Sequence, residues 1–291
     1  MLKTEFSDYL RFELRYSDHT VKAYLNDVND FQEFLSAKNL EYVSKKDIKS
    51  YLAHLVDLKF QERSINRKLS SLRSYYKFLY LTEAITEMPT QGLKGLKHFK
   101  KVQIPFSENE MKVLLDSDLF SNDFIGIRDK TILIILYHTG IRRAELIELG
   151  LSDIDFENYQ IKVIGKGDKE RIIPANEELI QCFNIYINAA LKESLDISNF
   201  LFVTENGKRL YPELVYRITN SYLSLVTTKR KKSPHMIRHT FATHMLNNGS
   251  DIMAIKDLLG HKSLASTEHY THNDINQLKK VFNLAHPRER K

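Results

Sequence analysis

The chain has 291 residues, enough for one large domain or two ordinary ones, and 42% hydrophobic with 27% charged residues excludes wholesale disorder. A formal net charge of +6 favours a polyanionic partner, and the single cysteine, Cys182, excludes both an intramolecular disulfide and a four-cysteine zinc site. The N-terminus MLKTEFSDYL carries charges where an apolar signal segment would lie, and the longest apolar stretch, from Thr131 to Ile141, is too short to span a bilayer. The expectation is a cytoplasmic protein without membrane insertion. No P-loop and no dinucleotide-binding glycine pattern occurs, so no cofactor is expected.

The first hundred residues read as helices. Val21, Tyr24, Leu25, Val28, Phe31 and Leu35 recur at helical spacing behind Thr20 as a cap, and a second helix is expected from about Asp47 to Leu58. In a third, from Ser64 to about Leu81, Ile65, Leu69, Leu72, Tyr76 and Leu79 share one side, while Arg63, Arg67, Arg73 and Lys77 share the other. That basic face is either a solvated surface or a DNA-facing one. Periodicity stops after Thr86, and MPTQGLKGLKHFKKVQIP brings Lys94, Lys97, Lys100 and Lys101 among two prolines and two glycines. The expected division is a helical domain over 1–88, a basic linker over 89–105 and a second domain over 106–291.

In the second domain Ser107 and Glu110 form a capping box at a helix start, and the stretch Arg128 to His138 is apolar almost all round, as befits a helix at the centre of a core. A hairpin follows, with Ile161 and Val163 alternating on one strand and Arg171 to Pro174 returning on the other. The rest reads as helical, ending in a stripe of Ile275, Leu278, Phe282 and Ala285. The fold class expected is mainly α with a small β-sheet or hairpin in the second domain.

Four segments concentrate reactive side chains. TGIRRAEL (139–146) places Arg142 at the head of a helix, where it either pairs with Glu145 one turn on or faces a ligand. GKGDKER (165–171) sets Lys166 between glycines at a hairpin tip, an ordinary exposed turn or a mobile ammonium that reaches a phosphate. SPHMIRHTFATHMLNNG (233–249) opens on Ser233 as cap and Pro234 at the first helical position. It carries His235, Arg238 and His239 on one face and closes at Gly249. Two histidines four apart also suggest zinc, although Met236 stands where a metalloprotease has its general-base glutamate. LGHKSLASTEHYTH (259–272) sets His261 beyond a helix ended by Gly260, with Tyr270 nine residues later. His244, His269 and His272 read as packing or surface histidines.

Taken together and in this order, the segments resemble the tyrosine recombinases and integrases, whose signature is an arginine in TGxRxxEL, a lysine at a hairpin turn, HxxRH, LGH and a tyrosine nine residues after that histidine. Size and layout are most similar to the bacterial Xer recombinases of the XerC/XerD type. The resemblance implies a two-domain DNA clamp, a SAM-like helical core-binding domain followed by a catalytic domain. It implies Arg142 and Arg238 as clamps on the scissile phosphate, Lys166 as general acid, His235 and His261 as phosphate contacts and Tyr270 as nucleophile, with Glu145 and His239 as supports. Arg63, Arg67, Arg73, Lys77, Lys97, Lys100, Lys101, Lys229 and Arg230 are the expected DNA-backbone contacts, with no metal and no cofactor. The implied partners are a double-stranded DNA recombination site and three further recombinase subunits, identical or related. These form a tetramer on two duplexes, joined through a terminal helix over 274–286. The implied role is chromosome-dimer resolution at cell division, with a septal DNA translocase as a further partner. The alternatives are an integrase of a phage or mobile element, a strand-swivelling topoisomerase, or a catalytically silent DNA-binding protein.

Overall fold

In a computed structural model the described residues are 2–37, 43–97, 103–165, 169–260, 282 and 284–288. The chain divides into two compact units, Met1–Val102 and Gln103–Lys291.

The first unit is helical: α1 (Leu2–Asp8) runs into a π-helical turn (Tyr9–Glu13) and is followed by α2 (Asp18–Ser36), α3 (Lys45–Asp57) and α4 (Glu62–Leu81). Helix α2 begins ahead of Thr20, because the extended backbone at Ser17 already turns the chain into the helix. The heptad-like apolar positions do become the core: Val28, Phe31, Ile48, Tyr51, Ile65, Leu69, Leu72 and Tyr76 are all buried. Phe6 and Leu10, from the N-terminal segment that periodicity alone leaves unassigned, join them, with the Phe6 ring edge-on to Tyr75 at 5.1 Å.

Polar chemistry ties α2 to α4. Lys68 is buried and donates to Asp27 and Asp30, while Ser71 Oγ donates to Asp27 Oδ2 at 2.7 Å. Burial disfavours the Lys68 charge, but Asp30, Tyr51 and Asp27 outweigh it and lift its pKa above the ordinary lysine value. Residues beyond Pro89, expected as linker, begin by packing on α4: Leu93 is buried, Asn66 exchanges hydrogen bonds with the backbone of Leu96, and Arg73 donates to the Leu93 carbonyl.

The second unit is built around α6 (Phe124–Thr139), whose Ile132 to Tyr137 are buried on every side. Before it lies α5 (Glu108–Asp116), opened by the expected capping box, with Glu110 N donating to Ser107 Oγ at 3.1 Å and Ser107 N to Glu110 Oε2 at 2.6 Å. After it come α7 (Arg143–Glu148), a three-stranded antiparallel sheet β1 (Ile154–Asp155), β2 (Gln160–Ile164) and β3 (Glu170–Pro174), then α8 (Glu177–Lys192), α9 (Pro212–Val226), α10 (Pro234–Asn247) and α11 (Ile252–Leu259). Helix α6 packs against α8 and α10. The strand β1 adds to the expected hairpin through Ile154 opposite Ile161. Ile161, Val163 and Ile173 face the core.

Gly140 ends α6 in the left-handed region at φ 60, and a Cβ there would lie 2.5 Å from Phe241 Cδ1 and 2.8 Å from Leu259 Cδ2. Both the backbone and the packing demand glycine. Gly140→Ala should therefore lower unfolding free energy by roughly 2 kcal/mol or more, read by denaturant titration; an unchanged midpoint would contradict this packing.

The tail returns to the same unit. Phe282 and His286 are fully buried, Asn248 Nδ2 donates to the Ala285 carbonyl at 2.9 Å, and Arg288 pairs with Glu178 and Asp116. Within one chain, the described residues at the end of the terminal segment pack on their own unit. Ile275 and Leu278, the first half of the expected stripe, lie outside the described residues. Among the described residues no helix is long and apolar enough to cross a membrane.

Candidate active site

Three arginines from three elements meet around one carboxylate. Arg142 stands immediately before α7, in extended backbone, where its N–H donates to Glu145 Oε2 at 2.7 Å and its Nη1 to Glu145 Oε1 at 2.7 Å. Arg171 lies on β3 opposite Val163, in phase with Ile173, so strand alternation turns it toward the interior. There Nη1 and Nη2 bond the two Glu145 oxygens at 3.0 and 2.8 Å, and Nε donates to the Leu258 carbonyl at 2.9 Å. Arg238, on α10, donates from Nη1 to the Gly140 carbonyl at 2.7 Å and from Nη2 to the Leu259 carbonyl at 2.6 Å. Arg142 Nη2 reaches the Gly260 carbonyl at 3.2 Å.

The geometry follows from helix ends. Gly140 closes α6 and Gly260 closes α11, both left-handed, so their last carbonyls point out of the helices as acceptors. Those carbonyls and Glu145 hold the guanidiniums in place, and cations at helix C-termini also meet a favourable dipole.

Electrostatically the cluster gathers three guanidiniums and one carboxylate, a net positive group. Burial, and after it the neighbouring Arg142 charge, pull the Arg238 pKa down to about 10, still well above neutrality. Burial would push the Glu145 carboxyl up, but Arg171 and after it Arg142 more than offset this and hold it below the ordinary carboxylate value. His235, at the start of α10 three residues before Arg238, has its pKa lowered by partial desolvation and then by the charge of Arg238. Such a site favours an anion.

Of the six side chains expected to carry chemistry, Arg142, His235 and Arg238 are drawn to this region. Lys166, His261 and Tyr270 lie outside the described residues. Their flanks do border the cluster: a Cβ at Gly165 would stand 3.6 Å from both Arg171 Nη1 and Glu145 Oε1, and Gly260 accepts from Arg142.

His239 bonds the backbone ahead of the second unit's first helix. Its Nε2 meets the Gln103 carbonyl at 3.1 Å, Thr240 Oγ1 accepts from Phe106 N at 3.0 Å, and His244 bonds the Phe106 carbonyl at 2.8 Å and the Tyr137 hydroxyl at 2.9 Å. One face of α10 thus ties down the start of the second unit while Arg238 points to the site. Among the described residues no group of three or more His, Cys, Asp or Glu is placed to hold a metal ion.

Of the side chains expected on a DNA surface, Arg63, Arg67, Arg73, Lys77, Lys97 and Arg230 stand exposed. Arg67 is paired with Asp27, Arg73 is bonded to the Leu93 carbonyl, and Lys229 is held by Glu110 at 2.5 Å and by the Pro105 carbonyl at 2.8 Å. Each of those three thus carries an intramolecular bond as well as its charge. Lys100 and Lys101 lie outside the described residues.

One residue, and one contact of another, escaped the sequence reading. Arg171 was legible only as a strand residue, yet an arginine in phase with Ile173 and across from Val163 is a buried charge in need of a partner. Glu145 was expected to pair with Arg142, but its second, buried partner depends on a strand 26 positions away.

Comparison with known proteins decides the family. Residues 105–277 match the Phage integrase family and residues 4–83 the Phage integrase, N-terminal SAM-like domain. The chain belongs to the phage integrase family of tyrosine recombinases. Among relatives in this family, Tyrosine recombinase XerC of Chlorobaculum tepidum is 36% identical, with 98% of this chain and 94% of that protein covered. Tyrosine recombinase XerD of Staphylococcus aureus is 33% identical, covering 99% of this chain and 100% of that protein. The fold is shared with the XerH site-specific recombinase bound to palindromic difH substrate in a post-cleavage complex, at TM-score 0.74 and 19% identity, covering 96% of this chain and 83% of the other.

Proposed function

We propose that this tyrosine recombinase cleaves and rejoins a specific double-stranded DNA site through a 3′-phosphotyrosyl intermediate formed by Tyr270, with neither metal nor ATP. The observation that carries the proposal is the arginine cluster with its excess positive charge, fixed on helix-end carbonyls.

A phosphodiester repels nucleophiles, and attack adds charge to its non-bridging oxygens. Arg142 and Arg238 meet that charge with forked donors, a role that metal ions play in many nucleases. His235 and His261 donate N–H bonds to the same oxygens. The Tyr270 phenol, with a free pKa near 10, loses its proton with help from these cations and His261, and its oxygen bonds phosphorus. The bond to the 5′ oxygen breaks, and Lys166 gives that oxygen its proton. The phosphotyrosyl link keeps the bond energy, so a 5′ hydroxyl of a second duplex reverses the step and seals the strand.

Exposed Arg63, Lys77, Lys97 and Arg230 contribute to the backbone footprint, which makes binding steeply salt-dependent. Recombination uses four subunits, identical or of two related kinds, on two duplexes. The tail that packs Phe282 and His286 on its own unit would exchange onto a neighbour in that assembly. Chromosome-dimer resolution in the cytoplasm, under a DNA translocase, is the role that fits the Xer relatives.

The experiment is to mix the protein with a nicked suicide substrate in EDTA and without nucleotide. The expected result is a denaturant-resistant protein–DNA adduct whose DNA-linked peptide contains Tyr270. An adduct that needs magnesium or ATP, or a linkage at another residue, would overturn the proposal.

A further inference from the structure

We propose that Arg171 is a positioning residue of the recombinase site: it holds the Glu145 carboxylate that fixes Arg142 and, with the same guanidinium, grips the end of α11 from which the chain runs on to His261 and Tyr270. This rests on the recombinase reading given above.

The hydrogen bonds close into a ring. Arg171 bonds both Glu145 oxygens, Glu145 bonds both the backbone and the guanidinium of Arg142, Arg142 reaches the Gly260 carbonyl, and Arg171 Nε returns to Leu258. Three elements distant in sequence, β3, α7 and α11, are locked by these bonds. The cap of α11 is laid directly on Arg171: a Cβ at Gly260 would come within 3.2 Å of Arg171 Cδ and Nη1.

Substrate is not the object of this arginine. Its side chain is 5% exposed and the Glu145 side chain 4%, whereas that of Arg142 is 39% exposed. Arg142 therefore faces the phosphate and Arg171 stands behind it. A buried ion pair is a poor source of net stability compared with apolar residues of the same volume. What it supplies here is orientation: with both Glu145 oxygens engaged by Arg171, the carboxylate has one pose, and the Arg142 plane follows it. Because β3 pairs with β2 and Gly165 adjoins the ring, the base of the turn that holds Lys166 is referenced to the same bonds.

The arrangement makes a signature that mere loss of fold lacks. Arg171 is the principal partner keeping Glu145 ionised against burial. In Arg171→Met the Glu145 pKa should rise; once protonated, Glu145 no longer holds Arg142. Single-turnover cleavage at saturating suicide substrate should fall roughly tenfold to a hundredfold, with DNA affinity within about twofold of wild type. The rate of the variant should fall further as pH drops from 8 to 5.5, an acid limb steeper than that of wild type. The double variant Arg171→Met with Glu145→Gln, which has no carboxyl to titrate, should lose the extra limb.

Arg171→Lys keeps a cation beside Glu145 but cannot fork to Leu258. It should cleave several-fold slower than wild type without the added limb. A wild-type protein that forms no Tyr270 adduct overturns the recombinase reading and this proposal with it. A normal wild-type adduct overturns this proposal alone under any of three results: Arg171→Met runs parallel to wild type at every pH, its limb survives Glu145→Gln, or, should Arg171→Met not fold, Arg171→Lys cleaves at the wild-type rate.

Discussion

Tyr270→Phe should form no covalent adduct with a nicked suicide substrate, a loss of more than about 10⁴-fold, while binding the same DNA within about twofold of wild type. The change removes one oxygen. Without it no bond to phosphorus is possible from that position, and a phenyl ring of the same shape disturbs neither the arginine cluster nor the DNA footprint. The reaction also offers no bypass, because in the proposed scheme the leaving 5′ oxygen is exchanged for the phenol oxygen, and water attack would give hydrolysis instead. Gel mobility under denaturing conditions reads the adduct, and native mobility shift reads the binding. An undiminished adduct in Tyr270→Phe would mean that another residue attacks.

The fold was legible in the sequence where one period governs a whole element. The apolar set from Ile65 to Leu79 lines one side of α4, and the run from Ile132 to Leu136 is buried all round α6, because each of these helices meets a single kind of environment per face. Boundaries were less legible. Ser17 starts α2 through its extended backbone, and Leu93 is drawn from the supposed linker into the first core by Asn66 and Arg73 of α4. Neither leaves a local pattern in the chain.

At the site the split is the same. Arg142 and Arg238 were found because each sits in a contiguous motif, TGIRRAEL or HMIRH, on which the family resemblance rests, whereas spacing alone left Arg142 an ordinary partner for Glu145. Arg171 was not singled out, since its task exists only once β3 lies against α7 and the end of α11. His239 was expected as a support, and the structure shows its ring bonded to Gln103; helix spacing shows which residues share a face and not what each meets there.

Arg238→Lys should cut single-turnover cleavage by roughly 10³-fold at saturating DNA, since a lone ammonium replaces a fork. The guanidinium is nearly buried and spans two carbonyls, Gly140 at the end of α6 and Leu259 at the end of α11, so its plane is set before any phosphate arrives. Lysine keeps the charge and reaches one of these acceptors at most, which leaves a helix-end carbonyl unsatisfied at a cost of about 1–3 kcal/mol. Stability and chemistry should therefore separate. Arg238→Ala loses both bonds and should melt lower than Arg238→Lys, yet the two should be similarly slow, because both lack the fork. The Arg142 charge raises the stakes for the same reason. Removing Arg238 relieves its repulsion with Arg142, so the stability deficit shrinks while the loss of transition-state stabilisation does not. Cleavage by Arg238→Lys near the wild-type rate, with the protein folded and DNA bound, would mean that charge alone suffices and that the forked clamp is wrong.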